Sequence, residues 1–130
     1  MEIRLKKKPK TFKGIRGFRI PPEARAWGIH APGVKKPIGF VAYASRYPDL
    51  FIYVAPPYRG RGIAIKAENM LAQQEGRKGW IAFIDRENKS SIRAHEKGGF
   101  QMIAKGETVP DGWKYLELFK KYDHLGNKGG

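Results

Sequence analysis

The chain has 130 residues, a formal net charge of +14, and 41% hydrophobic and 12% aromatic residues. This length and apolar content indicate one folded domain with its own core, and they exclude a chain that is disordered as a whole. Cysteine is absent, which excludes disulfides, thiolate nucleophiles and cysteine-based zinc sites.

The positive charge is concentrated at the start of the chain. Residues 1–36 contain eleven Lys and Arg against two Glu, which accounts for nine of the fourteen net charges. Such a segment favours a polyanionic partner (nucleic acid, ribosome or a phosphorylated ligand), or it is a solvated basic face that aids solubility.

No apolar run reaches the roughly 20 residues of a membrane span. Residues 1–10 also lack the apolar core of a signal peptide, so we expect no membrane contact and a cytoplasmic location.

Strand patterns fill the first half of the chain. The basic residues 1–19, with scattered apolar positions, can supply one strand. Three further segments have strand-like composition: residues 24–31, 38–45 and 50–54. Pro32 and Gly33 lie between the first two of these segments, which therefore predict a β-hairpin.

A helix is predicted after Gly62, ending in the region 76–79, where glycine is the usual terminator. One side of this helix carries Ile63, Ala67, Met70, Leu71 and Gln74, and the other carries Lys66, Glu68, Asn69 and Gln73. Residues 80–84 form an apolar run typical of a strand that is buried on both faces. Asn88 can cap a second helix that extends to Lys97.

Residues 100–104 and 113–119 predict a closing pair of strands. The resulting fold class is mixed α/β, with a central mixed sheet flanked by two main helices. The strand–helix–strand unit over residues 50–84 is expected to be parallel and right-handed. We expect a single domain over residues 1–125 and a disordered tail over residues 126–130.

The turn between the strand 50–54 and the first helix carries the most chemical information. A double proline ends the strand, and Gly60 and Gly62 follow one residue apart. A glycine turn that opens a helix presents backbone N–H groups at the positive end of the helix dipole, and Arg59 and Arg61 add positive charge. The pattern therefore predicts a phosphate-binding turn.

Three kinds of phosphate-binding loop compete for this turn. A Walker A loop requires Lys followed by Ser or Thr after the glycines, and this sequence has no such pair there. A dinucleotide-binding turn requires a third glycine where Ile65 stands, although Asp85 ends the next strand where a ribose-binding acid would fall. The hairpin-rich flanks argue against a doubly wound sheet, so a dinucleotide-binding oxidoreductase is the weaker alternative.

The third kind rests on Arg59, Gly62 and Ala64, which follow the strand with the spacing Arg-x-x-Gly-x-Ala. This spacing resembles the acyl-CoA-binding motif of the GNAT-superfamily N-acetyltransferases. Residues 88–100 resemble the second motif of that family, an Asn that opens a short helix ending in Glu-Lys-x-Gly-Phe. The two motifs lie at the family's usual separation, and the resemblance covers residues 38–119 well.

The resemblance implies an N-acetyltransferase that moves an acetyl group from acetyl-CoA to a primary amine by direct attack in a ternary complex. It implies a GNAT-like mixed sheet in which strand 50–54 splays from strand 80–84, so that the pantetheine arm can pair with the free edge. Tyr53 and Val54 would lie at that edge, and a main-chain N–H near Val54 would stabilise the oxyanion. The cofactor-binding residues implied are Arg59, Gly60, Arg61, Gly62, Ile63 and Ala64 for the pyrophosphate and Asn88 for the pantetheine.

His95 is the candidate general acid. It stands where many family members carry a Tyr that protonates the departing thiolate, and it lies seven residues after Asn88, so that both can face one cleft. Alternatively, His95 fills a packing position, or the thiolate leaves unprotonated. Asp49, at the start of a central strand, is the candidate general base, although Asp is also an ordinary turn residue there. No histidine pair has metal-ligand spacing, so no metal is expected.

The chain departs from the family before the hairpin, where it is short, basic and rich in Pro and Gly. The N-terminal helix pair that forms one wall of the acceptor pocket is therefore expected to be reduced or missing. An open site would suit a protein-linked or RNA-linked amine, or a second subunit would complete it, which leaves monomer and homodimer open. The alternative function is a catalytically inactive GNAT scaffold that binds nucleic acid or ribosome through its basic N-terminal third.

Overall fold

Two helices and nine strands make up the computed structural model, which describes residues 2–15, 18–44, 49–104 and 115–122. The strands are β1 Arg4–Lys7, β2 Gly14–Ile15, β3 Phe18–Arg19, β4 Ala24–His30, β5 Gly39–Ala44, β6 Asp49–Val54, β7 Gly79–Asp85, β8 Gln101–Ala104 and β9 Tyr115–Lys121. The helices are α1 Ile63–Glu75 and α2 Lys89–Lys97. Among these described residues, no helix is long and apolar enough to cross a membrane.

Seven of the strands form one mixed sheet in the order β1-β4-β5-β6-β7-β9-β8, and β2 pairs with β3 in a separate hairpin. Neighbouring strands of the sheet are antiparallel, except for β6 and β7, which are parallel and are connected through α1. The β4–β5 hairpin, the parallel strand–helix–strand unit and the closing pair β8–β9 confirm the predicted organisation. The tail predicted over residues 126–130 lies outside the described residues.

The basic N-terminal segment forms three short strands, where the sequence predicts one. β1 pairs with β4 at the edge of the sheet, with Arg4 opposite His30. The chain then turns, because the N–H of Phe12 donates to the carbonyl of Pro9 at 2.9 Å. This turn prevents β1 from continuing, so β2 and β3 pair with each other instead.

The two faces of the sheet carry different apolar clusters. Alternate side chains of the central strands point to the face that both helices cover: Trp27, Ile29, Val41, Tyr43, Leu50, Trp80 and Ala82. On this face α1 packs with Ile63, Ala67 and Leu71, and α2 packs with Ile92. The N-terminal segment, rather than a helix pair, packs against the opposite face, on a cluster formed by Ile20, Ala26, Phe40, Ala42 and Tyr53.

Local sequence signals set the ends of both helices. α1 begins after Gly62 and ends before Gly76, and both glycines are left-handed, with φ of 73° and 64°. The Gly76 N–H closes the last turn by donating to main-chain carbonyls of that turn. α2 begins where Asn88 Oδ1 accepts a hydrogen bond from the N–H of Ser91 at 3.2 Å, which confirms the predicted cap.

β6 and β7 pair over two residues and then separate. The last pair joins Leu50 to Ala82, and within the described residues no register pair joins residues 51–54 of β6 to residues 83–85 of β7. Both strands stay paired on their outer sides, β6 with β5 and β7 with β9. The gap between these two ranges, which we call the wedge, confirms the splayed strand pair that the family resemblance implies.

Gly39 of β5 lies against β6, and we predict that Gly39→Ala destabilises the fold. A Cβ at this position would overlap the carbonyl oxygen of Tyr53 and lie 3.0 Å from the Cα of Val54, and both are main-chain atoms. Since β6 would have to shift, we expect urea unfolding to show a loss of about 3 kcal/mol or more. Gly28→Ala in β4 is the matched control, because the nearest atom to its Cβ would be in the flexible side chain of Lys8. Equal losses for the two variants would contradict this account.

Candidate functional site

The wedge presents main-chain groups of β6 that β5 does not use. The N–H of Ala55 donates to the carbonyl of Ile38 at 2.8 Å, so the odd-numbered residues of β6 bond to β5. Main-chain groups alternate in direction along a strand, and those of Ile52 and Val54 therefore face β7. The Val54 carbonyl accepts a hydrogen bond from Arg59 Nε at 2.8 Å. The Val54 N–H and the main-chain groups of Ile52 are thus directed toward a chain that would add to this edge.

Tyr53 lies differently from Val54. Its main chain faces β5, and its buried ring stacks on Phe40 on the face opposite the helices, with ring centroids 6.1 Å apart. The guanidinium carbon of Arg59 lies 5.8 Å from the centre of the Tyr53 ring. The structure therefore brings Val54 to the wedge and places Tyr53 behind it, where its ring supports Arg59.

The predicted phosphate turn joins β6 to α1 at the open end of the wedge. A turn of 3-10 helix, Pro56–Tyr58, follows the strand, and Gly60 and Gly62 then take φ values of 78° and 73°, which glycine adopts readily. α1 begins with no side-chain cap and no acidic residue in its first turn, so its first N–H groups have no partner inside the helix. These donors, at the positive end of the helix dipole, suit a diphosphate.

Two exposed arginines flank this turn. The side chain of Arg59 bonds back to Val54, as described above, and the guanidinium carbon of Arg61 lies 5.9 Å from the centre of the Tyr58 ring. Packing on the two tyrosine rings holds positive charge beside the N–H groups of the turn. The structure therefore brings together the main chain of residues 59–64 and two cations, as the sequence predicts.

Asn88 lies at the same edge of the sheet as the glycine turn, because α2 follows the end of β7 as α1 follows the end of β6. Its Oδ1 accepts hydrogen bonds from the Ser91 N–H at 3.2 Å and from the Ser90 hydroxyl at 3.3 Å. The exposed side chain therefore orients the start of α2. A contact between Asn88 and pantetheine stays a prediction.

His95 lies in the core, with 1% of its surface exposed. Its Nδ1 is 2.8 Å from the carbonyl oxygen of Ser91, and its Nε2 is 2.8 Å from Oε2 of Glu68 in α1. Its ring packs edge-on against Phe100, with centroids 5.0 Å apart. Asn88 caps α2 while His95 is enclosed against α1, so the structure does not bring these two side chains into one open cleft. The general-acid role of His95 stays a prediction.

The sequence pattern misplaces two residues of α1: Gln74, which it puts on the apolar side, is exposed, and Glu68 is buried. Periodicity assigns Glu68 to the polar side of the first helix, yet its exposed fraction is zero. The buried arc of α1 is wider than a single apolar stripe, because one flank of the helix packs on the sheet and another contacts α2. The sequence does contain a signal for Glu68: the apolar residues Leu71 and Ala72 lie three and four positions further on and so share its side of the helix. Both are fully buried.

Burial and mutual contact act in opposite directions on the Glu68–His95 pair. Burial raises the pKa of the Glu68 carboxyl, and the hydrogen bond and charge of His95 only partly offset this rise. Burial lowers the pKa of His95, but the hydrogen bond and charge of Glu68, together with the hydrogen bond to the Ser91 carbonyl, outweigh burial and raise this pKa above its usual value. Both groups therefore hold protons to higher pH than they would in the unfolded chain.

Asp49 opens β6 at the closed end of the wedge, opposite Ile81. Val54 lies five residue steps further along the strand, a distance of about 16 Å. Burial raises the pKa of its carboxyl. The structure thus separates Asp49 from the glycine turn, and its general-base role stays a prediction. No group of three or more His, Asp or Glu side chains in the described part of the chain could hold a metal ion.

Comparison with known families gives one match. The model of the family described as the acetyltransferase (GNAT) family matches residues 4–100, which include the wedge, the glycine turn and α2. No curated protein matches the sequence.

Several solved structures have a similar fold. A protein from Bordetella pertussis assigned to the GnaT family of acetyltransferases is 23% identical, with a TM-score of 0.57, over 75% of this chain and 65% of that one. Mutant forms of the spermidine/spermine N-acetyltransferase SpeG from Vibrio cholerae are 14% identical, with a TM-score of 0.68, over 99% of this chain and 100% of theirs. The ribosomal-protein-S5-alanine acetyltransferase from Vibrio fischeri is 21% identical, with a TM-score of 0.60, over 79% of this chain and 64% of that one. The chain therefore shares their fold and spans about two thirds of the length of the first and third.

The Glu68–His95 pair predicts a pH dependence of stability. A group whose pKa is raised on folding stabilises the fold below its unfolded pKa and loses that contribution as the pH rises through its folded pKa. Both pKa values are raised, so the two contributions have the same sign. We expect the free energy of unfolding, measured in urea, to fall as the pH rises from 6.5, the usual pKa of histidine, through the raised pKa of His95. A free energy that stays constant up to pH ~9, below the ordinary range of Tyr and Lys, would contradict this assignment.

Proposed function

The chain belongs to the acetyltransferase (GNAT) family, and from this premise we propose that it transfers an acetyl group from acetyl-CoA to a primary amine by direct attack in a ternary complex. The observation that supports this most strongly is the wedge itself. Pairing between β6 and β7 stops after Leu50 and Ala82, and the glycine turn lies at the end of the strand edge that this leaves open. The glycine turn, which suits a diphosphate, is thus adjacent to the open edge of β6, which suits an extended chain.

The glycine turn would hold the pyrophosphate of acetyl-CoA. Its support is the uncapped start of α1, the positive φ values of Gly60 and Gly62, and the two flanking arginines. Within the described part of the chain, a Cβ at either glycine would meet no atom within 4 Å beyond the glycine and its chain neighbours, so the main chain is accessible from that side. Backbone donors at a helix start bind phosphate well because donors and dipole act together.

The wedge edge of β6 would hold the pantetheine arm and the thioester. An extended amide chain could pair with the main-chain groups of Ile52 as an added strand. The Val54 N–H would then donate to the carbonyl oxygen of the thioester and stabilise the negative charge that forms on it during attack. The amine nitrogen bonds to the carbonyl carbon, the carbon–sulfur bond breaks, and the sulfur leaves as a thiolate.

The two proton transfers in this reaction concern Asp49 and His95, whose roles as base and acid remain proposals. The attacking nitrogen loses a proton, and the thiolate leaves with or without gaining one. Both ring nitrogens of His95 already have partners in the structure. This supports departure of an unprotonated thiolate and a positioning role for His95.

Electrostatics favours an acceptor amine that a protein or an RNA carries. SpeG is described as acting on spermidine and spermine, and the Vibrio fischeri enzyme as acting on an alanine of a ribosomal protein. A chain of net charge +14 repels a free polycation, whereas it attracts an amine that is attached to a polyanion. We therefore favour an acceptor amine that is attached to a polyanionic macromolecule.

One observation also favours the alternative of nucleic-acid or ribosome binding without catalysis. Arg4 and Lys6 lie at alternate positions of the edge strand β1, and Lys8 follows its end. Burial is the largest cause of the lowered pKa of His30, and the charges of these three residues lower it further. These cations are therefore gathered on one face. RNA binding with a steep salt dependence, together with no acetyl transfer to any of a panel of amines, would favour this alternative.

Acetyl-CoA binding tests the proposed function. We expect titration calorimetry to give a micromolar dissociation constant for the wild-type chain, and Gly62→Ala to weaken it roughly tenfold, because a Cβ would enter the phosphate turn and distort it. Gly33→Ala is the matched control: Gly33 has a similar φ of 76° and equally open surroundings, but it lies in the β4–β5 turn. Absence of binding at millimolar acetyl-CoA would overturn the proposal.

A further inference from the structure

The contacts of His95 fix where the proton of the Glu68–His95 pair lies. A carbonyl oxygen only accepts hydrogen bonds, so the contact of Nδ1 with the carbonyl of Ser91 at 2.8 Å requires a hydrogen on Nδ1. A neutral ring then presents a lone pair at Nε2, which is 2.8 Å from Glu68 Oε2. The second contact is favourable only if one more proton lies between these two atoms. The pair is therefore either imidazolium with carboxylate or imidazole with carboxylic acid, and in both forms it carries no net charge.

The surroundings of the pair offer little other compensation. Glu68 Oε1 is buried and has no hydrogen-bond partner among the residues that the structure describes. The charged and titratable groups that face the pair come from the end of the sheet: Lys120 of β9 lowers the pKa of Glu68, and Glu68 contributes to a raised pKa of Tyr122 after the larger effect of burial. Lys120 Nζ itself donates to the Gly98 carbonyl at 2.7 Å and to Asn69 Oδ1 at 3.2 Å. Loss of the shared proton would thus leave a buried carboxylate beside a lone pair.

The pair joins the two helices whose starts flank the wedge. Glu68 is the sixth residue of α1, which begins at the glycine turn after β6, and His95 is the seventh residue of α2, which begins after β7. The indole Nε1–H of Trp80 in β7 also donates to the main-chain carbonyl of Glu68 at 2.9 Å, so this turn of α1 is tied to the second wedge strand as well. The pair therefore links α2 to α1 beside the second strand of the wedge.

We propose that Glu68 is a positioning residue for acetyl-CoA: by sharing one proton with His95 it holds α2 against α1 and so fixes the geometry of the wedge. The inference rests on the proposed function, because it takes acetyl-CoA as the occupant of the wedge. At high pH the pair loses its proton, the two helices separate locally, and the cofactor binds more weakly.

The test is the pH profile of acetyl-CoA affinity between pH ~7 and ~9.5, where the phosphates of the cofactor, with a second pKa of about 6, keep a constant charge. We expect the wild-type affinity to fall above the pKa of His95, by up to about tenfold per pH unit for one linked proton. A double variant, Glu68→Leu with His95→Phe, replaces the pair by apolar groups and is expected to fold, because such replacements of buried pairs are well tolerated. Its affinity is expected to be independent of pH.

Glu96→Gln is the matched control, since Glu96 is exposed on α2 next to His95 and this variant makes the same change of charge as Glu68→Gln. The control is expected to keep the wild-type profile. Glu68→Gln is expected to bind with an affinity that is independent of pH, because its amide N–H can donate to Nε2 of His95 without a titratable proton. The ring nitrogen shifts of His95 in NMR spectra should change over the same pH range as the affinity. A flat wild-type profile with normal binding would overturn the positioning role alone. No binding of acetyl-CoA at any pH would overturn the proposed function, and the positioning role with it.

Discussion

The short pairing of β6 with β7 is the constraint on which the rest of the structure depends. Each strand is paired on its outer side, β6 with β5 over residues 50–54 and β7 with β9 over its whole length. The inner edges can therefore separate after Leu50 without loss of either strand. Main-chain groups that face a gap without partners are costly unless a ligand or water satisfies them. The wedge is thus a place where the fold gives up sheet hydrogen bonds and can recover them by binding an extended chain.

The two helices begin beside this gap, and their starts differ chemically. Both cover the same face of the sheet, and both begin at the edge toward which the wedge opens. α1 begins with unpaired N–H groups because Gly62 provides no side-chain cap, whereas α2 begins with a satisfied cap at Asn88. The first helix start therefore suits an anion, and the second is fixed in place. The buried pair of Glu68 and His95 joins the helices a few residues behind these starts.

Much of the fold could be predicted from the sequence, since its signals are local. Glycines ended α1, Asn88 capped α2, and turn residues at Pro32 and Gly33 separated β4 from β5. The glycine turn was predicted for the same reason. Glu68 was not, because the width of a buried helix face depends on how many neighbours pack against it, and periodicity within one helix does not contain that information.

The position of His95 shows the same limit at the candidate site. The spacing of His95 from Asn88 predicts that both lie on one helix, which the structure confirms. A helical repeat does not determine whether a side chain faces solvent or a neighbouring helix. Asp49 was assigned from its place at a strand start, and only the direction of β6 relative to the glycine turn shows the separation between the two. The surroundings of these side chains depend on contacts between distant segments, and local sequence patterns do not contain that information.

A crystal structure of the chain with acetyl-CoA tests the account most directly. The account predicts that the pyrophosphate lies against the main-chain N–H groups of residues 60–64 and that the pantetheine pairs with the wedge edge of β6. It further predicts that the Val54 nitrogen lies about 3 Å from the thioester oxygen. A structure in which β6 and β7 are hydrogen-bonded to each other along their full length, or in which the cofactor lies outside the wedge, would contradict it.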